Sequence, residues 1–90
     1  MELQEIIQEL HSLDQQLWTL ESRYGVLSAD FYQAMLSGEL SEFDGEPGYH
    51  EDLIGWLAWY EMRQDCEQRY RDTLRRRHIL QQFRAVAVPA

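Results

Sequence analysis

The stretch ESRYGVLSADFYQAMLSGEL, residues 21 to 40, decides the fold, because it interrupts a chain that otherwise has helical patterning. Gly25 follows the last apolar residue of the first helical pattern and suits the left-handed conformation that ends helices. Ser28 fits the cap position of a new helix, and Gly38 ends that helix. We therefore predict a short helix over about residues 29–37 that turns the chain back on itself.

The residues before this turn follow a heptad pattern. Apolar side chains recur at alternating steps of three and four positions: Leu3, Ile6, Leu10, Leu13, Leu17, Leu20 and Tyr24. Such a seam indicates a helix that packs lengthwise against another helix. Ile7 and Trp18 widen the stripe towards the broader buried face that is typical of a bundle. We predict a helix over about residues 2–24.

A second long helix is predicted over about residues 51–83, where Gly55 is the only glycine and no proline occurs. Its first part, LIGWLAWYEM at residues 53–62, is apolar nearly all round, so it must be covered on more than one side. The composition of residues 39–50 is typical of a loop. The predicted fold is all-α, an antiparallel helical hairpin with a short connecting helix, completed as a bundle by oligomerisation.

Composition limits the class of protein. Ninety residues, 44% of them hydrophobic, are typical of one small domain, which we place at residues 1–84 with a flexible tail at 85–90. No apolar run approaches the roughly 20 residues that cross a bilayer, and acidic residues stand where a signal peptide is basic. A single cysteine, Cys66, excludes an internal disulfide and fits a reducing compartment. We expect a cytoplasmic protein that does not contact membranes.

Charge is distributed unevenly along the chain. The net charge is −8, and residues 1–60 hold twelve Asp and Glu against a single Arg, whereas residues 61–90 hold four against seven Arg. Net acidity disfavours nucleic-acid binding, because attraction to phosphate dominates such affinity.

A run of basic residues stands out in the second half of the chain: Arg75, Arg76 and Arg77, with Arg69, Arg71 and Arg84 nearby. The interpretation we favour is pairing with the acids of the first helix, Glu2, Glu5 and Glu9. The alternatives are contact with an acidic protein partner or with phosphate groups.

Groups that could support catalysis or metal binding are sparse. One loop gathers several possible ligands: Glu39, Glu42, Asp44, Glu46, His50, Glu51 and Asp52. They lack the residue order of a calcium-binding loop, so a solvated loop is the favoured interpretation and cation binding stays open. The three histidines, His11, His50 and His78, lie in different elements, and a chain of this size offers little cavity. We expect no enzymatic activity and no cofactor.

Surplus apolar surface on the second long helix indicates a protein partner. We predict interface positions along it: Trp56, Trp59, Tyr60, Met62, Arg63, Cys66 and Tyr70. For Trp59, burial in the core and exposure at an interface are both compatible with the sequence. Cys66 is interpreted as a small interface residue, because no histidine stands at helical spacing to activate its thiol.

The middle of the chain carries a spaced set of motifs: Leu20, Glu21, Arg23, Tyr24 and Gly25, then Ser28 with Phe31 or Tyr32, then Gly38, Glu39 and Leu40, then Asp52, Trp56 and Tyr60. This pattern resembles an uncharacterised group of small all-helical prokaryotic proteins. Some members of such groups are similar to the antitoxin half of toxin–antitoxin pairs, which implies a helical protein that binds and neutralises a small toxin. The loop SEFDGEPGYHED is longer here than in the pattern, and the arginine-rich end departs from it as well.

From these observations we predict a small protein-interaction module, most concretely an antitoxin-like protein whose aromatic and acidic surface masks a basic toxin. The alternative is a self-assembling structural or regulatory homodimer. Nucleic-acid contact through Arg75–Arg77 ranks third. The solution mass of the chain with and without Trp59→Ala is expected to separate the first two, because only self-assembly buries Trp59 between copies of this chain.

Overall fold

The computed structural model describes residues 2–43 and 46–86 and shows an all-α architecture within them. Its elements are α1 (Glu2–Tyr24), α2 (Ser28–Ser37), a 3₁₀ turn (Ser41–Phe43), α3 (His50–Arg75) and α4 (Ile79–Val86). None of the described residues forms a β-strand. The molecule is elongated, with extents of 62 × 21 × 20 Å. The predicted all-α class is confirmed.

Helices α1 and α3 pack against each other along their length, and their direction is antiparallel. Three ion pairs between the helices show the register: Glu9–Arg69, Asp14–Arg63 and Arg23–Asp52, at 2.7, 2.9 and 2.9 Å. Positions along α1 rise as positions along α3 fall. The predicted helical hairpin is therefore confirmed.

Two clusters of buried side chains form the core. The first lies at the turn end of the hairpin: Leu17, Leu20, Phe31, Leu53 and Trp56. The second lies further along it: Ile6, Leu13 and Cys66. The buried α1 residues all belong to the predicted heptad seam, so the pattern identified the packing face correctly. Trp18 does not widen that face, because 60% of its surface is exposed.

The glycines of the turn act as predicted. Gly25 has φ 70° and donates its N–H to the Glu21 carbonyl at 2.7 Å, which ends α1. Gly38 has φ 84°, and the N–H of the next residue, Glu39, donates to the Ala34 carbonyl at 3.1 Å. This bond closes the last turn of α2 in the way typical of a left-handed C-cap.

Ser28 does not cap α2, so that prediction is wrong. The cap residue is Leu27, and α2 begins at Ser28 itself. The backbone N–H of Ser28 donates to the Glu21 carboxylate at 2.9 Å, so an acid from α1 satisfies a free donor at the helix start. The Ser28 hydroxyl instead faces the core and accepts a hydrogen bond from the Trp56 indole at 2.9 Å.

The prediction of one helix over residues 51–83 is wrong at its C-terminal end. Helix α3 stops at Arg75, and α4 forms a separate helix after a three-residue link. The ion pair between Glu9 and Arg69 sets a register in which the first residue of α1, Glu2, lies opposite about residue 76. A longer α3 would have no part of α1 to pack against beyond that point, and tertiary packing is the main source of helix stability in proteins.

The predicted tail at residues 85–90 overlaps α4, which runs to Val86. Residues 87–90 lie outside the described residues, as does Asp44 of the acidic loop.

Candidate interaction surface

An aromatic cleft of about 250 Å³ lies at the turn end of the hairpin. We call it the aromatic cleft, and these side chains line it: Tyr24, Val26, Phe31, Leu40, Phe43, Tyr49, Leu53 and Trp56. Small-molecule sites typically measure about 300–1,000 Å³. The aromatic cleft is smaller, so it suits one apolar side chain of a partner better than a cofactor. Sequence reasoning missed it, because much of its wall comes from turns and loops that have no periodic pattern.

Trp56 forms the floor of the aromatic cleft. Its ring stacks on Phe31 with centroids 3.9 Å apart and an interplanar angle of 4°. Tyr24 stacks on it with centroids 5.5 Å apart. Only 1% of the Trp56 surface is exposed. Neighbouring rings cover most of its side chain within the chain, and its predicted contact with a partner stays a prediction.

The wall at Tyr24 is held by a charged network. The Tyr24 hydroxyl donates to the Asp52 carboxylate at 2.6 Å, and Arg23 donates to the same oxygen at 2.9 Å. These two donors lower the pKa of Asp52, with the tyrosine bond the larger cause. The same bond raises the pKa of Tyr24. Asp52 is therefore ionised at neutral pH and fixes the tyrosine ring in place.

Acidic residues are frequent in the chain segment that supplies much of the cleft lining. We call four exposed residues, each within three positions of a lining residue along the chain, the acidic rim: Glu39, Glu42, Glu46 and Glu51. None of them forms an ion pair with a described side chain. Their charge is therefore uncompensated locally, and it attracts cationic groups near the cleft.

Apolar surface also remains open on α3. Met62, a predicted interface residue, is 48% exposed, and Ile54 is 52% exposed. With Ala58 between them at helical spacing, they form an exposed strip along α3. Tyr60 is half-buried and its ring lies 4.9 Å from that of Tyr32. The surplus apolar surface predicted on the second long helix is therefore present along this strip.

Three other predicted interface residues on α3 pack mainly against the interior of the hairpin. Trp59 is half-buried and packs against both core clusters, and Tyr70 packs against the second. Cys66 is fully buried, with Sγ 3.6 Å from the Ile6 carbonyl oxygen. Burial raises the pKa of its thiol. The prediction of Cys66 as an interface residue is wrong, because the α1–α3 contact covers it completely.

Arg63 is engaged within the chain. Its guanidinium donates to Asp14 at 2.9 Å and also pairs with Glu67 one turn along α3. The hydrogen bond to Asp14 is the main cause that raises the pKa of Arg63. With both carboxylates in place, Arg63 joins the two long helices, and its predicted contact with a partner stays a prediction.

The arginines at the opposite end of the molecule are exposed. This basic cluster consists of Arg75, Arg76, Arg77 and Arg84. None of them forms an ion pair with a described side chain. The favoured pairing of the arginines with the acids of α1 is confirmed for Arg69, which pairs with Glu9, and is wrong for Arg75, Arg76 and Arg77 among the described side chains.

Helix α4 presents an apolar face to solvent. Ile79, Leu80, Phe83 and Val86 are 66%, 56%, 72% and 80% exposed. Their spacing places them on one side of the helix. No other described helix packs extensively against α4. The α4 apolar face therefore lacks a covering surface in the described part of the chain.

Comparisons with known proteins give no information about function, so function is inferred from the surface of the molecule. No protein-family model, curated protein or solved structure matches this chain. Within residues 2–43 and 46–86, no group of His, Cys, Asp or Glu is arranged to hold a metal ion. In the same ranges, no helix combines the length and apolar character needed to cross a membrane.

Proposed function

We propose that this chain is a small protein-interaction module whose aromatic cleft receives an apolar side chain from a basic helix of a protein partner. The observation that carries the proposal is the pairing of an open apolar cleft with the uncompensated acidic rim. An apolar anchor gains free energy by leaving water. Cationic residues beside the anchor gain from the carboxylates of the rim.

The rigidity of the aromatic cleft supports this role. Its floor, Trp56, stacks with two neighbouring rings and is hydrogen-bonded to Ser28, and its Tyr24 wall is hydrogen-bonded to Asp52. A preformed cleft loses little conformational entropy when a side chain enters it. Large side chains seated in such clefts typically dominate the binding energy of an interface.

The charge of the chain favours a basic partner. Residues 1–72 carry all sixteen Asp and Glu and four of the eight Arg, a net charge of −12. Long-range attraction raises the rate at which a basic protein associates with such a surface. The partner we propose is a basic toxin, in line with the antitoxin-like resemblance, and the chain would neutralise it by covering its basic surface.

A second candidate function is self-assembly into a structural or regulatory homodimer. The observation that favours it is the exposed α4 apolar face, together with the exposed strip on α3. Both are surfaces that a second copy could cover.

A probe peptide tests the proposed function. The probe is a synthetic amphipathic helix, unrelated in sequence to this chain, with one Phe on its apolar face and Arg on its polar face. Calorimetry would measure its binding to the full chain and to the variant Val26→Arg. Val26 lines the cleft and is 41% exposed, so the substitution adds a repelling charge without disturbing the core. Leu36→Arg is the matched control, because Leu36 is 65% exposed and does not line the cleft.

We expect the probe to bind the full chain and Leu36→Arg, and to bind Val26→Arg at least about 10-fold more weakly. Replacing the Phe of the probe by Ser should weaken binding, and added salt should weaken it further. Binding that is absent, or equal in the two variants, would rule out the aromatic cleft as the receptor.

A further inference from the structure

We infer that α4 of one copy docks in the aromatic cleft of a second copy, and that two such contacts join the copies in an antiparallel dimer. The inference rests on the proposed function of the cleft and names a second copy of this chain as an occupant. It requires that α4 has the chemistry the cleft accepts, that α4 cannot reach its own cleft, and that the contact closes symmetrically.

The chemistry of α4 matches that of the aromatic cleft. Residues 73–86 carry four Arg and no Asp or Glu, a net charge of +4, whereas residues 1–72 carry −12. Phe83 lies in the middle of the α4 apolar face and is 72% exposed, so it can enter a cleft without rearrangement of α4. The arginines around it face a surface whose rim carboxylates have no ion pair with a described side chain.

Helix α4 cannot reach the aromatic cleft of its own chain. The cleft lies where α3 begins and α4 follows the end of α3, which has 26 residues. At 1.5 Å per residue, α3 is about 39 Å long. The three-residue link spans at most about 10 Å and the eight-residue α4 about 12 Å, which falls short of that distance. Only another copy can bring α4 to the cleft.

An antiparallel arrangement of two copies allows both α4 helices to reach a cleft. The acidic rim and the basic cluster lie at opposite ends of a molecule 62 Å long. Two copies placed side by side in opposite directions bring each basic end to the acidic end of its partner. The same pair of surfaces is then used twice, as in a two-fold symmetric dimer, and no copy is left to extend a fibre.

Analytical ultracentrifugation over a concentration series tests the inference with two single variants of the full chain. Phe83→Asp removes the anchor on α4 and leaves the aromatic cleft intact. Val26→Arg charges the cleft and leaves α4 intact. Gln82→Asp is the matched control for the first, because it adds the same charge at an exposed α4 position outside the apolar face. Leu36→Arg is the matched control for the second.

We expect the unmodified chain to dimerise and each cleft or anchor variant to raise the dissociation constant at least about 30-fold, as for an interface hot spot. Mixing Phe83→Asp with Val26→Arg should restore association, because the intact α4 of one variant meets the intact cleft of the other. Added salt should weaken the dimer.

Three results would overturn the inference. The first is an unmodified chain that stays monomeric. The second is a dimer lost in Phe83→Asp but retained in Val26→Arg, which would indicate pairing of α4 with α4. The third is a mixture that fails to associate. If the probe peptide binds a chain that is monomeric, the proposed function stands and only this inference fails.

Discussion

The hydrogen bond between Trp56 and Ser28 gives a sharp test of how the turn is held together. Its donor and acceptor lie 2.9 Å apart, in side chains that are 1% and 4% exposed. Ser28→Ala removes the acceptor and leaves a buried indole N–H without a partner. An unsatisfied buried donor costs about 1–3 kcal/mol. We therefore expect Ser28→Ala to lower the free energy of unfolding by about 2 kcal/mol.

A double-mutant cycle separates this role from helix capping. In a Trp56→Phe background the donor is absent, so Ser28→Ala should then cost less than about 0.5 kcal/mol. A capping serine would instead cost about 1 kcal/mol in both backgrounds, because its partner is a backbone N–H. The two roles thus give different coupling energies for the same pair of positions.

Urea denaturation followed by far-UV circular dichroism measures the four free energies at one protein concentration. Ser22→Ala is the control, because Ser22 is exposed on α1 and should change stability by less than about 0.5 kcal/mol. An equal cost of Ser28→Ala with and without the Trp56 indole would refute the reasoning and return Ser28 to the role of a cap.

Three further predictions follow from the described geometry. The hydrogen bond from Tyr24 lowers the pKa of Asp52 in the folded state. The Asp52 carboxylate therefore stabilises the fold above its ordinary pKa near 3.8, and this stabilisation is lost as pH falls through the folded pKa. The difference in free energy of unfolding between the unmodified chain and Asp52→Asn should shrink towards zero between about pH 5 and pH 2. The Cys66 thiol is buried and its pKa is raised, so alkylation by iodoacetamide should be slow in the native state and fast in urea, and fast native labelling would contradict its burial. Gly38→Ala should cost about 1 kcal/mol because φ is 84°, whereas Gly55→Ala should be neutral or stabilising in thermal melts, because a Cβ there meets only the Trp59 indole at 3.8 Å.

The hairpin was predictable because its signal is periodic. The heptad seam of α1 supplies the buried leucines at positions 13, 17 and 20, and the glycines at 25 and 38 end their helices as their sequence positions indicate. Periodicity reports which side of a helix is buried. It was misleading for Trp18, which lies at the edge of the stripe and faces solvent.

The break after Arg75 was not predictable from local sequence, because no glycine or proline marks it. It depends on where α1 begins, which is a tertiary property. The role of Ser28 was missed for a similar reason. A serine before a helical pattern suits a cap. Only the packed structure shows that the Glu21 carboxylate accepts the free N–H at the start of α2, while the Trp56 indole donates to the Ser28 hydroxyl.

The candidate site was predicted only in part. Its aromatic floor lies in the region that the sequence identifies as unusually apolar, but the sequence did not indicate that Phe31 and Tyr24 stack on Trp56. The cleft itself depends on Val26 and on Tyr49, which lie between helices and belong to no repeating pattern.

Docking of α4 in the aromatic cleft of a second copy can be observed by isotope-filtered NMR on an equal mixture of labelled and unlabelled full-length protein. It detects contacts between hydrogens of different copies. We expect intermolecular cross-peaks from the Phe83 ring to the methyl groups of Val26 and Leu40, which line the aromatic cleft. Cross-peaks from Phe83 only to α4 of the other copy, or none at all, would contradict it.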